Sequence, residues 1–140
     1  MRRVRNERGQ TLLEYTVVVL TVLTVIFGVF ETARLVLTYT TLAEAARAGA
    51  RYAIVHGADC LGACGPSDGT LTVQNVAAAG GITLPPGAVV VSYPYHPPGA
   101  SAPVPGTLVT ITVSYTFVPV TPLVSLSIPL IITTESMITY

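Results

Sequence analysis

From Gln10 to Phe30 the sequence runs for 21 residues with a single ionisable side chain, Glu14. At ~1.5 Å of rise per residue, a helix of that length reaches roughly 30 Å, the thickness of a bilayer's hydrocarbon core. Few structures are open to such a segment. In lipid its backbone must hydrogen-bond within itself, which leaves a helix as the way for one segment to cross. A cleaved secretory signal would have a shorter apolar core followed by small residues at a cut site. Here Phe27, Val29, Phe30 and Glu31 close the run and no A-x-A site stands directly behind it. A retained membrane helix over residues 10–30 is therefore expected. Four arginines (Arg2, Arg3, Arg5 and Arg8) against Glu7 give the first nine residues a net charge of +3. That basic leader places the amino end in the cytoplasm and everything after Phe30 outside it. A carboxylate at the depth of Glu14 is costly, which marks it as a functional-site candidate.

The helical pattern continues past the span. Glu31 to Val55 has no proline, one glycine (Gly49), and many Ala, Leu, Arg and Glu, which favour helix. Glu31 and Arg34 stand at i,i+3, as do Glu44 and Arg47, with Arg51 following at i+4. Gly57 and the Gly/Pro/Asp-rich stretch to Gly69 end the pattern. The expectation is one helix of about 45 residues, roughly 65 Å long. Winding it at ~100° per residue puts Glu14, Thr21, Gly28, Thr32 and Tyr39 on one stripe, continued by Ala43, Ala46 and Ala50. Small residues on one face let helices approach closely in lipid, so Thr21, Gly28 and Thr32 read as a helix-packing face. The plainer reading is that threonine is tolerated in lipid by bonding to its own backbone. Above the span, Glu44, Arg47 and Arg51 lie on a different face from the alanines, whose face is expected to pack on a sheet.

That sheet is written in the second half. Val89, Val91, Tyr93 and Tyr95 alternate with other residues. Val109, Ile111, Val113, Tyr115 and Phe117 alternate with Thr110, Thr112, Ser114 and Thr116, a clear strand pattern. Leu126 to Thr139 alternates again, with Pro129 pointing to an edge or a bulge. Pro119 and Pro122 mark the turn before it, and Pro94 to Pro105 reads as a Pro-rich loop. Thr70 to Ala79 reads as a short helix ending at Gly80-Gly81. With 140 residues there is room for one small domain beside the span. The expected fold is α+β: a long N-terminal helix, transmembrane in its lower half, packed against a small antiparallel sheet. The division is a leader over 1–9, the span over 10–30, the helix continuation over 31–56, and a β-rich extracytoplasmic domain over 57–140.

Composition narrows the function. There is no lysine, and beyond Arg51 the only basic side chains are two histidines, so a nucleic-acid footprint is absent. Beyond the long helix the carboxylates are Asp59, Asp68 and Glu135, and no nucleophile elbow or H-E-x-x-H motif occurs. No catalytic residues and no cofactor are read. Cys60 and Cys64 are a lone pair on the outer side of a membrane, where a disulfide is the expected fate. Free thiols are the other outcome if the compartment is not oxidising. His56, Cys60, Cys64 and His96 have zinc-compatible side chains. Their spacing matches no ligand pattern, however, and no metal is expected.

Three parts of the chain carry a family resemblance. The first is Gly9-Gln10-Thr11-Leu12-Leu13-Glu14-Tyr15 behind the basic leader. The second joins Phe27-Gly28 and Glu31-Thr32-Ala33-Arg34 to the Ala/Arg/Gly run from Ala45 to Ala53. The third is Val109 to Pro119 with Thr121-Pro122-Leu123 behind it. Together they resemble the TadE-like family of tight-adherence (Tad) pilus proteins, which are type IV pilin-like. The resemblance implies that a prepilin peptidase cuts between Gly9 and Gln10. It implies that Glu14, then the fifth mature residue, meets the terminal ammonium of a neighbouring subunit, with Tyr15 beside it. Glu14 lies only ~6 Å along the helix from the new terminus, and a carboxylate desolvated in lipid favours a cation. On depth alone Glu14 could equally snorkel to the interface; the spacing from Gly9 favours pairing. Two departures stand out. Gln10 replaces the phenylalanine that opens main type IV pilins, which leaves amino-terminal methylation open. Tyr15 stands where many TadE-like chains carry phenylalanine.

Major Tad pilins are little more than a helix, so a β-rich second half implies the pseudopilin or minor-pilin class. The implied role is structural, in assembly or initiation of an adhesion pilus. The implied partners are the peptidase, other pilin-like subunits, the Tad membrane assembly platform and the membrane itself. A rival from another class is a surface ligand-binding protein anchored by the same helix that never enters a filament.

Overall fold

The computed structural model describes residues 7–56, 66–95, 105–120 and 127–139. Helix α1 runs unbroken over Glu7–His56, and α2 over Pro66–Ala79. Three strands follow: β1 (Val89–Tyr95), β2 (Leu108–Phe117) and β3 (Ile128–Met137). They form one antiparallel sheet in the order β1-β2-β3. Both helices lie on one face of it, α1 over β2 and β3, α2 over β1. The α+β architecture expected from the sequence is the one observed. Helix α1 starts earlier than the apolar run, so Gly9 and Gln10 are already helical. The cysteines and His96 lie outside the described residues, and so do Leu126, Pro122 and most of the Pro-rich loop.

The two halves of α1 live in different surroundings. From Leu12 to Phe30 its apolar side chains are exposed all round. A helix apolar on every side needs lipid or neighbouring helices to cover it. It is long and apolar enough to cross a membrane, and none of its most apolar stretch is buried by the chain's own fold. Higher up, Leu42, Ala45, Ala46, Ala50 and Ala53 are buried, while Glu44, Arg47 and Arg51 face out. The alanine face packs as expected, with a partner the sequence did not announce: α2 shares it with the sheet. Val73 and Ala77 of α2 join Val109, Ile111 and Val113 of β2 in one buried core. Gly49 sits where α1, α2 and β2 converge. A Cβ there would collide with Val73 Cγ2 and stand 3.1 Å from Ile111 Cδ1.

Local chemistry ends the elements where the sequence suggests. Gly81 adopts φ +80° just past α2. Its N–H reaches Ala78 O at 2.9 Å, and Ile82 N–H reaches Ala77 O at 2.9 Å. This is a Schellman cap, with Ile82 folding back into the core as such caps favour. Strand β2 is central, and its partners carry the prolines. Pro129 lies on edge strand β3, opposite Thr116. Pro94 lies in β1, where the register slips between Ser92 and Tyr95. Proline lacks a ladder donor and is confined to such places. Glu135, exposed on the β3 edge, discourages pairing with another strand.

Tyr93 packs against the core from β1, and burial raises its phenol pKa above the ordinary value. Two outcomes are expected. Gly49→Val should destabilise the folded head by about 1–3 kcal/mol through overpacking, read as a lower melting temperature in detergent. Gly28→Ala, which meets nothing within 4 Å, should not. Stability should also fall as pH rises past ~10, because the unfolded phenol ionises first. Tyr93→Phe should remove that part of the slope in alkaline thermal melts.

Candidate functional site

The structure assembles two regions on α1. The first is the exposed stripe along its lower half. Glu14 and Tyr15 are exposed near its foot. Thr21 Oγ1 donates to Val17 O at 2.8 Å, and Thr32 Oγ1 donates to Gly28 O at 2.8 Å. Thr16 and Thr24 do the same one turn back, each at 2.8 Å. Hydroxyls tied to their own helix present methyl groups outward. The bonding that makes threonine tolerable in lipid is therefore present, on the stripe and off it alike. Gly28 and Thr32 line a shallow apolar groove with Val25, Val29, Ala33 and Val36. The upper alanines of the stripe are not available to a neighbour: Ala46 and Ala50 are buried against the chain's own head. The exposed part runs from Glu14 to Tyr39.

The second region lies at the boundary between the halves. Glu31, the first charged residue after the apolar run, accepts from Arg34 Nη1 at 3.1 Å. Its other oxygen accepts the backbone N–H of Val120 at 2.9 Å. The Arg34 guanidinium lies 5.5 Å from the centre of the Phe117 ring, within cation–π range. The end of β2 and the start of the β2–β3 connection are thus fastened to α1 one turn above the apolar run. The sequence pairs Glu31 with Arg34 through their spacing. It gives no sign of the bond to Val120, 89 residues away. The available hint is that Glu31 is the lone carboxylate at the end of the apolar run. The other i,i+3 pair, Glu44 and Arg47, flanks an open polar groove with Arg51 and Val76 and closes no ion pair among the described residues.

No cluster of three or more metal-ligating side chains occurs among the described residues. His56 stacks on Tyr52 with ring centroids 4.2 Å apart and its Nδ1 lies 3.1 Å from Tyr52 O, so it serves the end of α1. The candidate site is a surface of one helix.

Glu31→Ala should release the connection at a local cost of about 1–2 kcal/mol, the scale of a charge-assisted hydrogen bond. Amide exchange at Val120 should quicken about tenfold while the core of β2 is unchanged, read by hydrogen–deuterium exchange. Glu31→Gln, which keeps an acceptor, should fall between.

Residues 9–51 match the family model described as TadE-like protein. The resemblance read from the sequence is thus borne out over the segment that holds Gly9, Glu14, the stripe and most of the alanine face. No curated protein and no solved structure matches the chain.

Proposed function

We propose, from a TadE-like segment that forms one unbroken helix with an exposed apolar lower half, that this chain is a pseudopilin or minor pilin of a Tad-type adhesion pilus. The observation that carries the reading is the placement of Glu14. It is exposed on an apolar helix, five positions past Gly9 and within the matched segment. Cutting after Gly9 would put a new ammonium ~6 Å along the helix from that carboxylate. The first turn of the mature helix would then hold a negative charge where the helix dipole favours one. A neighbouring subunit's terminus supplies the cation that a carboxylate in lipid needs. Tyr15 lies next to it, and the stripe through Thr21, Gly28 and Thr32 is the surface on which helices approach.

In this reading residues 10–30 cross the cytoplasmic membrane with the amino end inside. Residues 31–56 carry the helix outward, and residues 57–140 complete the head. The partners are a prepilin peptidase, other pilin-like subunits and the Tad assembly platform. The role is structural, with no reaction of its own. Cys60 and Cys64 are joined in the oxidising exterior.

Intact-mass measurement of membrane-extracted protein, from cells with and without the peptidase, should find a chain beginning at Gln10 only when the peptidase is present. Reduction and alkylation in the same experiment should reveal the Cys60–Cys64 bond. Glu14→Ala should still be cut yet fail to support pilus assembly, scored by pilus yield. A full-length chain in both strains would instead identify a membrane-anchored surface domain.

A further inference from the structure

We infer that the start of the β2–β3 connection, through Val118 and Val120, docks on the lipid surface at the outer end of the span. This rests on the reading of residues 10–30 as a membrane helix.

The first ground is level. Val120 is tied by its N–H to Glu31 Oε1 at 2.9 Å, and Glu31 directly follows the apolar run that ends at Phe30. Arg34 and Phe117 hold the preceding residues one turn higher. The strand geometry agrees. Ile111 lies beside Gly49 and Phe117 beside Arg34. Between these levels α1 rises roughly 22 Å while β2 descends roughly 20 Å. Strand β2 therefore runs back down α1, and its far end arrives where the apolar surface of the helix begins.

The second ground is exposure at that level. Val120 is 72% exposed and Val118 63% exposed. Val120 is the most exposed large hydrophobic residue among those described, span included. In the middle of a head with no lipid near it, such a pair would be an uncovered patch. At the foot of the head they stand level with the outer end of the apolar surface of α1. The third ground is charge. No residue from Val118 to Ile131 is ionisable, and the carboxylate that holds the loop is paired with Arg34. Two aliphatic side chains flanking a proline suit the ~5–10 Å depth of the headgroup–acyl boundary. A lipid surface is the occupant this placement selects. A second copy of the chain is the competitor.

The chain has no tryptophan, so a single introduced indole is a clean probe. Three full-length variants in dilute phosphatidylcholine vesicles serve: Val120→Trp, Phe27→Trp within the span, and Val90→Trp on the far sheet face. Phe27→Trp, about 4–5 Å below Phe30, should lose most of its emission when the lipids are brominated in the upper part of the acyl chains. Val120→Trp should be blue-shifted and lose most of its emission to lipids brominated near the headgroup. Val90→Trp should do neither. If Phe27→Trp is quenched while Val120→Trp emits like Val90→Trp, the loop stays in water and the docking inference is overturned while the span stands. If Val120→Trp is blue-shifted but insensitive to bromine, protein covers it and the lipid assignment is wrong. If Phe27→Trp is not quenched, the span reading fails and the docking inference with it.

Discussion

Every backbone N–H and C=O that enters a bilayer must find its partner within the chain that carries it. Helix α1 meets that demand by never stopping. It begins before the apolar run and ends at His56, so the residues apolar on every side and those that build the head belong to one rod. The rest of the fold follows from how differently the two halves of that rod are covered. In the lower half, large aliphatics point in every direction. In the upper half, alanine and Gly49 thin one side so that α2 and β2 come close, while Glu44, Arg47 and Arg51 keep the other side wet.

The head is small, and its core depends on that thinning. Ala45, Ala46 and Ala50 contribute little apolar area each. What they supply is proximity, which lets α1 share one core with Val73, Val109, Ile111 and Val113. Dense packing of this kind is intolerant of added volume. Two helices cover only one face of the sheet, and Val90, Ile131 and Met137 remain exposed on the other.

Much of this was legible in the residues. The 3.6-residue pattern, the alternation from Val109 to Phe117 and the Gly80-Gly81 stop each rest on local periodicity or backbone freedom, and each was found where expected. The lower stripe through Glu14, Thr21, Gly28 and Thr32 is exposed like every other face of the lower helix, so the fold does not single it out. What was not legible depends on contacts distant in sequence. Nothing local announces that α2 would share the alanine face, because alanine accepts either a sheet or a helix. Nothing local joins Glu31 to Val120, because a backbone N–H has no residue identity.

The fastening at Glu31 has a mechanical consequence. Contacts between head and rod extend from Glu31 to Ala53, roughly 33 Å along the axis. No proline occurs in α1, and its one glycine above the apolar run, Gly49, is locked inside the core. A head held at both ends of such a length resists swivelling about the rod and nodding on a hinge. A sideways pull on the sheet therefore arrives in the lower helix as torque, and head and shaft turn together as a lever.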